Sequence, residues 1–208
     1  MGHLGSRLLD GRGVSRDVEQ GEQWLRKAAE AGDPSARLRL GYLVYGRSLG
    51  LAEPLEAHRE AGGHFLGAWR EDKAAGVNLA YMLRRGEFEA KGLDVASLLG
   101  DSVEEGDPVA LVNLALHLIR GASSREAWSQ ADELLARAVA SEGISQVDEW
   151  WNMTAEYGDP EGPLVAALLW RHGHREAGSE QVAVWWRIAE AAGWVIPPEV
   201  RGRFRAEE

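Results

Sequence analysis

Cysteine is absent from the 208 residues, and that absence removes disulfides, thiolate nucleophiles and Cys-based zinc sites together. It leaves the compartment open, because a cysteine-free chain suits the cytosol and the periplasm alike. Lysine is nearly missing too. Of 23 cationic residues only Lys27, Lys73 and Lys91 are lysines, while Asp and Glu number 33 and bring the net charge to −10. So acidic a chain has little with which to neutralise phosphates, which argues against nucleic acid and equally against anionic membrane surfaces. No apolar run approaches the ~20 residues of a membrane-spanning helix, so direct membrane insertion is not expected. The opening MGHLGSRLLDGRG has neither the basic stretch nor the apolar stretch of a signal peptide. Sustained period-two alternation is also missing, and with it the mark of half-buried strands.

What remains is a globular composition, 45% hydrophobic and 27% charged, whose apolar part is mostly Ala and Leu. That combination predicts an all-α chain. A chain of this length buries roughly 70% of its unfolded surface and needs no staple. The 25 glycines are the difficulty, since each costs a helix interior roughly 1 kcal/mol relative to Ala. Internal repetition resolves most of it.

Gly-Asp-Pro occurs at 32–34, 106–108 and 158–160, each time between an Ala- or Glu-rich stretch and an apolar one. VNLAYMLRRG (77–86) matches VNLALHLIRG (112–121) at an offset of 35, and WWNMTAEYG (150–158) matches WWRIAEAAG (185–193) at the same offset. Leu4-Gly5 recurs as Leu40-Gly41, Leu79-Ala80, Leu114-Ala115 and, more weakly, Ala166-Ala167. In Gly-Asp-Pro the glycine suits the residue after a helix, where positive φ is wanted. Asp and Pro then suit the cap and first turn of the next helix. The small residue after Leu lets a neighbouring helix approach. Gly11, Gly46, Gly86, Gly121 and Gly173 are expected to end the first helix of each unit; Gly13 falls in a turn, and Gly21 is left without a role. One helix pair cannot bury its apolar face alone, and stacking solves that.

LGYLVYG, DGRGVSRD and WLRKAAEAGDPSA resemble the Sel-like repeat, a relative of the tetratricopeptide repeat. The match is close over residues 2–46, moderate over 73–121, and reduced to Trp, Ala and Gly marks over 145–193. The resemblance implies an α/α superhelix, or solenoid, of about five helix-turn-helix units. As one domain over 1–208, the units run 1–33, 34–75, 76–107, 108–158 and 159–193. An extra helix is expected near 124–142, making the middle irregular, and a capping helix over 197–206. Because the chain starts inside a first helix, N-terminal residues, a leader or earlier repeats, are expected to have been lost. The location is then periplasmic if a leader was removed, and otherwise cytoplasmic.

Catalytic constellations are not found. GRGVSRD lies between two helices and lacks the lysine of a phosphate loop. HREAG at 58–62 and 174–178 falls at unrelated register positions, and His172 with His174 has no carboxylates at metal-ligand spacing. No metal and no cofactor are therefore expected. The many carboxylates read as solvated helix faces. Trp24, Trp150 and Trp185 hold the register position expected to pack into the core, whereas Trp69, Trp128, Trp170 and Trp194 have no repeat equivalent.

In tetratricopeptide-like stacks the first helix of each unit lines the concave face. By that resemblance, residues two, five and six after the Leu of the Leu-Gly pair should be exposed there. They give a Tyr- and Arg-rich strip whose partner-binding candidates are Tyr42, Tyr45, Tyr81, Arg84, Arg85, Leu116, Ile119, Arg120, Leu168, Arg171 and His172. The other reading is that these arginines pair with acids of adjacent helices. The resemblance implies a non-enzymatic protein–protein interaction module. An immunity or inhibitor protein that neutralises a cognate bacterial toxin or effector is favoured over an adaptor in an envelope, secretion or signalling assembly. A Cys-rich branch linked to β-lactam binding and hydrolysis is the weaker alternative, because this chain has no cysteine.

Overall fold

The computed structural model describes residues 1–120 and 124–202. Among them are eleven α-helices and no strand, so the all-α expectation holds. The chain forms two compact units, Met1–Leu98 and Leu99–Glu208.

The first unit holds α1 (Gly2–Asp10), α2 (Val18–Glu30), α3 (Pro34–Ser48), α4 (Leu55–Leu66) and α5 (Lys73–Arg85), and the next helix, α6 (Val95–Glu104), begins within it. Consecutive helices pack on one another: α1 on α2, α2 on α3, α3 on α4, α4 on α5. Leu25, Ala28, Ala29, Ala36 and Leu40 make one buried cluster, with Leu9 against it. The small residues set how closely these helices approach. A Cβ on Gly5 would lie 2.8 Å from the Gly21 carbonyl oxygen, and one on Gly21 would lie 2.9 Å from that of Gly5. Gly21, without a role in the sequence, is thus half of a backbone crossing between α1 and α2. A Cβ on Gly41 would overlap the Phe65 ring of α4.

The second unit holds α7 (Pro108–Ile119), α8 (Arg125–Val139), α9 (Ile144–Glu156), α10 (Glu161–Arg171) and α11 (Ser179–Ala191), followed by a 3-10 turn at Pro198–Arg201. Here α7 packs chiefly on α8, and α10 touches α8, α9 and α11. Leu111, Leu116, Ile119, Leu135, Trp151 and Leu164 are among its fully buried side chains.

The Gly-Asp-Pro ladder is written into backbone bonds. Asp33 and Asp107 cap α3 and α7, accepting from the N–H groups of Ala36 (3.1 Å) and Ala110 (2.7 Å), with Pro in the first turn. Just before them Gly32 and Gly106 take φ of 92° and 81°. Asp33 N–H donates to Ala28 O at 3.0 Å, and Asp107 N–H to Ser102 O at 2.9 Å. This is the six-to-one bond that closes a helix end in a Schellman motif. Asp159 N–H repeats it onto Thr154 O at 3.1 Å, but its carboxylate accepts from Glu161 N–H and Pro160 becomes the cap residue.

Two sequence expectations are corrected. Gly46 does not end the first helix of its unit: α3 continues through it to Ser48, and the positive φ falls at Gly50, 82°. With nothing within 4 Å of a Cβ placed on Gly46, neither backbone nor packing requires glycine there. The tryptophan register is off by one. Trp151 and Trp186 are buried at 2% and 3% exposure, whereas Trp24, Trp150 and Trp185 are half-buried. One residue rotates a helix by about 100°, and in α2 the matching core residue is Leu25. Two of the four tryptophans without a repeat equivalent, Trp128 and Trp194, are also buried. Gly121 and residues 203–206 of the expected capping helix lie outside the described residues.

Candidate functional site

Tyr45 on α3, five residues after its ladder Leu, and Tyr81 on α5, two after its own, meet in the first unit. Tyr45 Oη donates to Glu87 Oε2 at 3.0 Å and lies 3.4 Å from Tyr81 Oη. Arg85 Nε donates to Glu87 Oε1 at 2.7 Å. His58 of α4 stacks on Tyr45, with ring centroids 5.5 Å apart, and the guanidinium groups of Arg84 and Arg85 lie 5.7 and 5.2 Å from the Tyr81 ring centroid. Burial drives the Tyr45 phenol far above its ordinary range, helped by Tyr81 and Glu87, so its hydroxyl stays protonated and acts as a donor. Tyr42 meets Phe65 edge-on at 5.7 Å and accepts from Asn78 Nδ2 at 2.9 Å.

In the second unit the predicted Arg171 and His172 converge on one acid, Asp132 of α8. Arg171 holds it bidentately, Nε to Oδ1 at 3.0 Å and Nη2 to Oδ2 at 2.8 Å. His172 Nε2 lies 3.0 Å from Oδ1, and Arg171 Nη1 donates to Gly202 O at 2.9 Å. Asp132 and Arg171 are 9% and 8% exposed. Burial pushes the Asp132 carboxyl up, but the hydrogen bonds from His172 and Arg171 together with their charges outweigh it and hold the group below its usual range. Arg120, on the surface, reaches the buried Glu161 at 4.0 Å.

The expectation of an exposed strip is therefore corrected. Tyr45, Tyr81, Arg84, Leu116, Ile119, Leu168 and Arg171 are buried, Arg85 and His172 half-buried, and only Tyr42 and Arg120 exposed. The cause is enclosure: nine of the eleven α10 residues are buried because three helices surround α10. An apolar stripe on one side of a helix describes an outer helix, and α10 is an inner one. Several of the arginines do pair with acids, as the second reading had it: Arg171 with Asp132, Arg85 with Glu87 and Arg120 with Glu161. The structure brings the strip together as two internal polar networks, one in each unit.

The sequence reading missed a groove of about 530 Å³ in the first unit, between α2, α3 and α4. Ala29 and Leu40 form its apolar floor, and Arg26, Arg37, Arg59, Glu30, Glu60 and His64 its walls. Arg26 is held by Glu22 at 2.8 Å and Glu60 at 2.7 Å, and Arg47 reaches Glu22 at 2.6 Å. Burial raises Glu22, yet its bonds to Arg26 and Arg47 outweigh that and keep it ionised below the usual range. Arg37 donates to two backbone carbonyls, Ala29 O at 3.3 Å and Gly67 O at 2.9 Å. Burial pushes His64 down, leaving it neutral at pH 7. Leu40 belongs to the Leu-Gly ladder and Arg59 and Glu60 to HREAG, but no sequence pattern shows that these residues of three helices come together.

Helix packed on successive helix within each unit, with the repeated Gly-Asp-Pro junctions between them, defines a helical-repeat protein. Residues 1–33 match the Sel1 repeat. The fold is similar to that of a protective antigen from uropathogenic Escherichia coli strains that displays an SLR fold, with a TM-score of 0.52 and 23% identity over 90% of this chain. The chain spans 44% of that protein's length. A Sel1 repeat protein from Oxalobacter formigenes aligns over 92% of this chain and 71% of its own, with 22% identity and a TM-score of 0.46. No curated protein matches the chain.

Proposed function

We propose that this protein is a protein–protein interaction module rather than an enzyme. Sel1-repeat proteins generally mediate protein–protein interaction, and the observation carrying the reading is that a Sel1 match at residues 1–33 opens a stack of helix pairs. The polar clusters support it as well. Tyr45 is a protonated donor to Glu87, and Asp132 is spent on Arg171 and His172, so neither cluster offers a free base beside a nucleophile. Of the sequence candidates, the exposed Tyr42 and Arg120 are the members of the strip able to meet a partner without rearrangement.

Within that class we favour a dedicated binder of one partner, an immunity or inhibitor protein acting on a bacterial toxin or effector, over a general adaptor. The irregular repeat supports this, since α8 and α9 follow α7 where the earlier units have a single second helix. Surfaces built from unequal units are not interchangeable and suit one ligand. The test is affinity capture with mass spectrometry, followed by co-expression of the captured protein. A partner toxic alone and harmless with this chain supports the immunity reading; a non-toxic assembly component supports the adaptor; no stoichiometric partner overturns the module itself.

A further inference from the structure

We infer that the groove between α2, α3 and α4 is a docking site for an acidic segment of a protein partner, with Arg59 and Arg37 as carboxylate donors. This rests on the interaction-module reading and adds the site and the chemistry of what enters it. The groove's charges are unequally committed. Arg26 is neutralised twice over, by Glu22 and Glu60. Arg37 spends two donors on backbone carbonyls, which orient its guanidinium without cancelling its charge. Arg59 lines the groove with no acid at ion-pair distance among the described residues. Two guanidinium charges thus face about 530 Å³ of open volume over the apolar floor of Ala29 and Leu40.

In a chain of net charge −10, this is a local reversal of sign. Guanidinium groups present parallel N–H donors that match a carboxylate, and an apolar floor strengthens such a bond by excluding water. Space is available as well: Gly63 lines the groove, and a Cβ placed on it would meet nothing within 4 Å. Glu30, the wall residue with no cation at ion-pair distance, repels a second acid on the α2 side and steers the incoming carboxylate toward α4.

The test is an NMR titration of the full ¹⁵N-labelled chain with a short capped peptide alternating Glu and Ala, with its Lys-Ala counterpart as control. Shifts should concentrate at residues 26–30, 37–40 and 59–64, and the Lys peptide should leave them unmoved. Arg59→Glu is exposed and leaves the helical signal unchanged; it should weaken the acidic peptide by on the order of tenfold or more. Arg37→Gln should weaken it with the helical signal likewise retained. Shifts elsewhere, equal response to the Lys peptide, or unchanged affinity in Arg59→Glu would overturn the inference. A partner captured equally by wild type and Arg59→Glu refutes the groove and spares the module. Peptide binding in the groove with no protein partner captured refutes the module and spares the groove.

Discussion

Replacing Asp132 by Ala tests how the second unit is held together. The carboxylate takes two bonds from Arg171, at 3.0 and 2.8 Å, and a third contact from His172 at 3.0 Å. Its side chain and that of Arg171 are 12% and 9% exposed. An exposed pair such as Arg26–Glu22, with its arginine side chain 44% exposed, is worth about 0–1 kcal/mol. Breaking a buried pair costs about 3–5 kcal/mol, because the surviving charge stays in the interior without its counter-ion. The loss should therefore lie in the higher range, and it should fall on the unit containing α8 and α10. Urea unfolding followed by circular dichroism gives the size. If the two units unfold in separate steps, one transition should move and the other stay. A cycle with Arg171→Met isolates the pair: the double variant should be no less stable than Asp132→Ala, since the stranded charge is gone. A loss under about 1 kcal/mol, or additivity within the cycle to about 0.5 kcal/mol, would refute the argument.

The sequence carried the local rules well and the enclosure poorly. Gly-Asp-Pro predicted positive φ, cap and first turn at residues 32–34 and 106–108, because those preferences act within one turn of chain. Gly41 was legible for a related reason: small residues recurring beside a buried Leu mark a close approach. Its partner ring, Phe65, was not. The strip failed where burial depends on how many neighbours a helix has. Arg84 and Arg171 look like surface residues by type, and no ladder shows that α10 has helices on three sides. The same limit hid Gly21, whose role exists only opposite Gly5, and the groove, whose arginines become neighbours only once α2, α3 and α4 pack. The tryptophan error was smaller in cause. With Trp-Trp pairs at 150–151 and 185–186, the ladder fixes the period but not which member turns inward.

That register can be checked directly: Trp151→Ala should cost about 3–5 kcal/mol and Trp150→Ala less than half as much by urea unfolding, and equal losses would return the core to Trp150. Glycines in α3 should respond with opposite sign. Gly46→Ala should gain about 0.5–1 kcal/mol, since the site is helical with open space at Cβ, and Gly41→Leu should lose about 1–3 kcal/mol by driving into Phe65; a destabilised Gly46→Ala would mean that α3 ends where the sequence first placed it. Acid dependence follows from Asp132. Its pKa is lower folded than unfolded, so the stability it contributes is fully present above the unfolded value of about 4 and fades as pH falls through the folded value. Asp132→Asn has no such carboxylate, so the stability gap between wild type and variant should be constant near neutrality and narrow below about pH 4. Urea midpoints across that range decide it, because a gap that stays constant down to the lowest pH at which the chain folds would mean the clamp does not favour the ionised acid.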